Sequence, residues 1–139
     1  MSDCSVICHG CNCFHTMGSG IALAIKRKYP EAYMADMKQT TLGDPNKLGT
    51  FSKADCGDKL IYNLYQQFRY GRDKMHLQYD ALEQALIAMK SDLQVNDRYK
   101  ISKIGMPRIG CSLAGGDWNV VKQIIERVFS EKDVYVYSL

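Results

Sequence analysis

Several features are missing from this chain, and each absence removes a class of function. No apolar run is long enough to cross a bilayer, so a membrane-spanning helix is not expected. The chain opens without the charged, apolar and small-residue pattern of a secretory leader, and the expected compartment is the cytoplasm. Charge of either sign is nearly balanced, with 18 Lys and Arg against 15 Asp and Glu, for a net charge of +3. That field suits a phosphorylated small ligand and is too weak to imply nucleic acid without a local patch. The cationic run Lys26-Arg27-Lys28 reads as the solvated face of a helix. A Walker-type G-x-x-x-x-G-K-[S/T] is absent, which argues against nucleoside triphosphate hydrolysis. Gly18-Ser19-Gly20 begins like G-x-G-x-x-G, but Leu23 holds the third glycine position, so a dinucleotide site is not expected. Cys111 lacks the arginine that a thiol phosphatase loop needs six residues on, where Asp117 stands instead.

Cysteine is plentiful but unpaired in pattern. Of six cysteines, Cys4, Cys8, Cys11 and Cys13 crowd the first 13 residues, while Cys56 and Cys111 stand apart. A structural zinc site wants a second ligand pair, and none follows the segment Cys8 to His15. The thiols read as reduced side chains of a cytosolic protein, with no cofactor and no metal expected.

What is present is ordinary globular composition, 46% hydrophobic and 24% charged over 139 residues, which fits a single domain spanning 1–139. Periodicity predicts a buried strand over Cys4–Cys8, a loop from His9 to Met17, and a helix opened by Gly18-Ser19-Gly20. Pro30 ends that helix and suits the first turn of another, Glu31 to Lys38. Strands are predicted at Leu48–Ala54 and Lys59–Tyr65 around a hairpin-like Asp55-Cys56-Gly57-Asp58. Phe68 to Met75 reads as loop. A helix over Gln78–Leu93 follows from Ala81, Leu82, Ala85, Leu86, Met89 and Leu93. A strand at Lys100–Met106, a helix at Trp118–Phe129 and a strand at Asp133–Ser138 complete the chain. Strands alternating with helices imply an α/β fold, its sheet mostly parallel and made mixed by the hairpin.

The chemistry gathers in two glycine-bearing connections, each between a strand and a helix. The first runs to Gly18-Ser19-Gly20. The second is Met106-Pro107-Arg108-Ile109-Gly110-Cys111-Ser112-Leu113-Ala114-Gly115-Gly116-Asp117-Trp118, with three glycines in seven positions. Backbone N–H groups at such a loop and at the following helix start favour an anion. Two such loops at one rim of a sheet suit a diphosphate.

Among side chains, His15 is the acid–base candidate, because histidine exchanges a proton near neutral pH. The alternative is a solvent-exposed loop histidine. His9, just after the predicted strand, is either buried or catalytic. His76 reads as a surface residue. Asp117 is either a carboxylate that activates water or the N-cap of the helix it precedes. Arg108 either pairs with phosphate or turns to solvent. Asn12 offers an amide to a ligand hydroxyl or stabilises a turn.

These residues resemble a family. Asn12, Gly18-Ser19-Gly20-Ile21-Ala22 and Pro107-Arg108-Ile109-Gly110-Cys111-x-Leu113-Ala114-Gly115-Gly116-Asp117-Trp118 look like the macro domain. The likeness is greatest to its small branch with ADP-ribose 1''-phosphate phosphatases and the terminal ADP-ribose protein glycohydrolase. Tyr29-Pro30-Glu31-Ala32-Tyr33 and Leu48-Gly49-Thr50-Phe51 also fit that branch. The resemblance implies a three-layer α/β/α sandwich that binds ADP-ribose. It implies that the first loop, with His9, Asn12, Gly18, Ser19, Gly20 and Ile21, holds the distal ribose. The second loop, with Pro107, Ile109, Gly110, Cys111, Ser112, Leu113, Ala114 and Gly115, would wrap the diphosphate, and Tyr137 would lie near adenine. The expected activity is hydrolysis of a distal-ribose ester, with the phosphate of ADP-ribose 1''-phosphate as substrate and His15 and Asp117 as catalytic groups. Its rivals are a binding module for free or protein-attached ADP-ribose and a hydrolase of ADP-ribosyl-protein or O-acetyl-ADP-ribose. Two positions depart from the glycohydrolase branch: Gln66 stands where that branch has lysine, and Ala114 where it has aspartate.

Overall fold

The computed structural model describes residues 4–18, 20–69, 77–96, 99, 103–107, 116–130 and 134–136. In chain order these form β1 (Val6–Cys11), α1 (Gly20–Lys28), α2 (Pro30–Gln39), a 3-10 turn (Pro45–Lys47), β2 (Phe51–Asp55) and β3 (Leu60–Tyr65). Then come α3 (Tyr79–Gln94), β4 (Ile104–Met106), α4 (Trp118–Val128) and β5 (Val134–Val136). The strands make one sheet in the order β2-β3-β1-β4-β5. β1 runs parallel to both β3 and β4, β4 runs parallel to β5, and β2 pairs antiparallel with β3.

Side-chain alternation along the central strands divides the core between two faces. Ile7 of β1 and Ile61 of β3 pack with Ile25 of α1 and Ala32 of α2. Val6, Cys8, Leu60, Tyr62 and Leu64 point the other way, into a larger cluster with α3 and α4. All six predicted apolar positions of α3 are buried, as are Val121, Ile124, Ile125 and Val128 of α4. Each fully buried Leu or Met there contributes about 2 kcal/mol of transfer free energy. Every residue of β3 is buried, because helices cover the sheet on both sides. The result is the expected three-layer sandwich.

Several boundaries shift from expectation, and three of the shifts have a clear physical reason. β1 does not stop at Cys8 but continues through His9, Gly10 and Cys11, each opposite a residue of β3: His9 faces Asn63, Gly10 faces Leu64 and Cys11 faces Tyr65. A histidine and a glycine read locally as loop, whereas pairing with a strand more than fifty residues away makes them sheet. β2 begins at Phe51 rather than Leu48, because the 3-10 turn and Gly49, at φ +81°, come first. α2 begins at Pro30 itself, whose missing N–H is harmless in a first turn.

Cys4, Cys8, Cys11 and Cys13 are buried free thiols and Cys56 is a half-buried one. Among the described residues no three side chains gather in a metal-binding group, and no helix is long and apolar enough to cross a membrane.

Candidate functional site at the carboxyl rim of the sheet

β1 and β4 are adjacent and parallel, so the connections that follow them leave from one rim of the sheet. The chain after β1 leads to α1 on the Ile7 face, and the chain after β4 leads to α4 on the Val6 face. Neighbouring parallel strands whose connections part to opposite faces open a crevice at their carboxyl ends.

The first loop is fixed from within and from below. Asn12 is buried and works inside the loop: Oδ1 accepts from the Phe14 N–H at 2.8 Å, and Nδ2 donates to Thr16 Oγ1 at 2.7 Å. This is the turn-stabilising arrangement open to an Asx side chain. The Cys13 N–H donates to Phe68 O at 3.0 Å, and Cys13 O accepts from the Gly43 N–H at 2.7 Å and from Lys47 Nζ at 3.3 Å. Met17 is buried with Cys11 and Tyr65. Thr16 and Gly18 are exposed, and a Cβ at Gly18 would meet nothing within 4 Å. Gly20 starts α1, and Ile21 packs half-buried on the Ile7 cluster.

His15 is half-buried at the top of this loop with φ +54°, a left-handed conformation that a histidine adopts only when its surroundings hold it. Its Nε2 lies 2.9 Å from Thr40 Oγ1. The Thr40 hydroxyl donates to Asp36 O at 2.5 Å, which leaves His15 Nε2–H as the donor to Thr40.

His9 corrects the reading of a residue beyond the strand. It is fully buried on the α1–α2 face, and Nε2 donates to Asn63 Oδ1 at 2.7 Å. Burial lowers its pKa to about 4, against a raising contribution from the Asn63 hydrogen bond. It is therefore a neutral core histidine with no exposed surface to offer a ligand.

From His9 a buried chain of donors and acceptors runs beneath the loop. Asn63 Nδ2 donates to Ser52 Oγ at 3.0 Å and to Ala32 O at 2.9 Å. Ser52 Oγ lies 2.7 Å from Tyr65 OH, which donates to Asp36 Oδ1 at 2.5 Å. Burial, then the bond to Asp36, pushes the Tyr65 phenol far up. Lys47 closes the chain: its Nζ lies 3.6 Å from Asp36 Oδ1 and 4.5 Å from the Tyr65 ring centre. Sequence reading missed this support. A lysine and an aspartate in polar surroundings look like surface groups until β3 and α2 enclose them.

Asp117 is the N-cap of α4. Its Oδ1 accepts from the Asn119 N–H at 2.9 Å, and its own N–H donates to Tyr79 OH at 2.9 Å. Its carboxylate is exposed at the mouth of the second connection. Pro107 is buried at the end of β4. Ser19, His76, Tyr137 and residues 108–115, which include Arg108, Ile109, Gly110, Cys111, Ser112, Leu113, Ala114 and Gly115, lie outside the described residues.

The burial of Gln66 is a second feature that the sequence did not expose. The residue follows β3 directly, is 3% exposed, and lies against Gly10 so closely that a Cβ there would sit 2.1 Å from Gln66 Nε2. A glycine inside a strand is the one local sign of such an approach.

Comparison with known proteins agrees with this geometry. Residues 8–125 match the Macro domain family. The chain is similar to a 17.5-kDa protein of the tk-vs intergenic region of Enterobacteria phage T4, at 35% identity over 94% of this chain and 83% of the relative. It is similar to the ADP-ribose 1''-phosphate phosphatase of Debaryomyces hansenii, at 29% identity over 98% of this chain and 89% of that one. Among solved structures it resembles the macrodomain of Mycobacterium tuberculosis DarG, with a TM-score of 0.79 and 25% identity over 97% of this chain and 89% of that one. A family match that spans most of the chain, a mixed five-stranded sheet between helices, and a crevice at the carboxyl ends of β1 and β4 lead to one conclusion: this chain belongs to the Macro domain family.

Proposed function

We propose that this chain binds ADP-ribose and hydrolyses an ester at the distal ribose, with the phosphate of ADP-ribose 1''-phosphate as its substrate. The observation that carries the reading is the carboxyl rim shared by the adjacent parallel strands β1 and β4, with a glycine-bearing connection following each. Backbone N–H groups of those connections and the start of α4 suit a diphosphate. The name of the Debaryomyces hansenii relative supports the same substrate class.

In this reading water attacks phosphorus and the bond from phosphorus to the distal ribose oxygen breaks. His15 gives the departing oxygen its proton, and the proton released by water passes to Asp117. With His15 Nε2 held by Thr40, Nδ1 is the nitrogen that transfers the proton. Much of the acceleration comes from holding the ester in place, which general acid catalysis supplements.

Phosphate release from ADP-ribose 1''-phosphate by the purified protein, beside a Gly20→Glu control that fills the loop, tests the proposal. Release well above the control supports it. His15→Asn should then lower kcat about a hundredfold with KM little changed. Tight ADP-ribose binding with no release above the control favours a binding module instead. Gln66 supports that second reading, since it stands where the glycohydrolase branch has lysine.

A further inference from the structure

Among the described residues, one buried side-chain oxygen has no hydrogen-bond partner: Oε1 of Gln66. The orientation of this amide follows from its neighbours. Gln67 Nε2 donates to Arg69 O at 2.8 Å, which turns Gln67 Oε1 toward Gln66. An amide oxygen accepts only, so Gln66 must present its Nε2–H there, and it does so at 3.2 Å. The oxygen of Gln66 is what remains.

Its location is equally constrained. Gln66 N–H donates to Cys11 O, the last residue of β1, at 3.3 Å, and the side chain lies back over Gly10. Gly10 is on the same face of β1 as Val6 and Cys8, the face toward which the second connection departs. The amide therefore lies at the carboxyl end of β1, the strand from which the first connection leaves. Only the absence of a Cβ at Gly10 lets it lie there.

We infer that Gln66 is a specificity-determining residue, whose Oε1 accepts a hydrogen bond from a hydroxyl of the ligand's distal sugar. This rests on the ADP-ribose reading above. A lone buried acceptor is satisfied by an O–H donor. A sugar hydroxyl supplies one, whereas a phosphate dianion or an acyl oxygen at the same point supplies only further lone pairs. A site built to bond a hydroxyl discriminates against ligands that lack it, because the protein oxygen is then left buried and unpaired. Gln66 thus selects a ribose with a free hydroxyl at this point, and an ester group must lie elsewhere on the sugar.

Calorimetric titration with ADP-ribose and with ADP, which lacks the distal ribose, tests this on the natural protein and on Gln66→Met. Methionine keeps the length and removes the acceptor. ADP-ribose affinity should fall about tenfold while ADP affinity is unchanged. Equal losses for both ligands, or no loss for ADP-ribose, overturns the inference. Should the variant not fold, distal-ribose monodeoxy analogues titrated against the natural protein take its place. One of them must bind about tenfold more weakly than ADP-ribose, and if all bind alike the inference falls. A natural protein that binds neither ADP-ribose nor ADP would overturn the underlying ligand reading instead.

Discussion

Lys47 and Asp36 form an ion pair inside the protein, 3.6 Å from Nζ to Oδ1, with side chains only 4% and 1% exposed. The pair joins the 3-10 turn to α2 directly beneath the first loop. Lys47 also donates to Cys13 O, so the charge that balances Asp36 holds the loop backbone.

Removing one partner leaves the other charged and enclosed. Lys47→Met should therefore destabilise the fold by about 3 kcal/mol. Lys47→Met combined with Asp36→Asn should recover part of that loss, because no uncompensated charge remains. Urea denaturation of the natural protein, both single variants and the double variant measures this. A double variant no more stable than Lys47→Met would show that the loss came from packing rather than charge.

His9 makes stability depend on pH in a defined window. Its folded pKa is about 4 against an ordinary value of 6.5, so the folded state resists protonation that the unfolded chain accepts. The contribution is complete above pH 6.5 and is lost as pH falls toward 4, amounting to roughly 3 kcal/mol. His9→Gln keeps a donor for Asn63 and should flatten this part of the curve. Denaturation midpoints taken between pH 4 and 7 decide it: equal slopes in the two proteins would exclude His9 as the source.

Gly10→Ala places a methyl 2.1 Å from Gln66 Nε2. The displaced atoms belong to the end of a flexible side chain, so the fold should survive with a loss of about 1 kcal/mol. Gln66 must still leave its position. ADP-ribose affinity should then fall as in Gln66→Met, with ADP affinity retained. Unchanged ADP-ribose affinity would mean that the amide does not reach the sugar.

Asp117 can be tested as cap and as base separately. Asp117→Ala removes the bond to the Asn119 N–H and should cost about 1 kcal/mol. Asp117→Asn keeps a capping oxygen and should restore most of that stability. Only a base leaves both variants deficient in phosphate release. A fully active Asp117→Asn would reduce Asp117 to its capping role.

Helical and strand periodicity made most of the elements legible. The buried stripe of α3 coincides residue for residue with the predicted one. A proline at a helix start and a glycine in a hairpin are local signals, and they placed the start of α2 and the turn between β2 and β3. The glycines of both connections were equally visible, because residue identity is read without any tertiary contact.

The polar side chains beneath the crevice were not legible. His9 looked like the first residue of a loop because a strand's extent depends on its partner, and that partner is Asn63. Asp36 and Lys47 carry no local sign of enclosure, because burial is a property of the whole chain. Gln66 looked like a missing lysine, and its oxygen acquired meaning only once Gly10 lay beneath it and Gln67 had fixed its amide. Local sequence determined the elements and the two glycine-bearing loops, since backbone preference and periodicity act over a few residues. Tertiary structure decided which polar groups are enclosed, which are satisfied and which one is left open, since each of those depends on atoms brought together from distant parts of the chain.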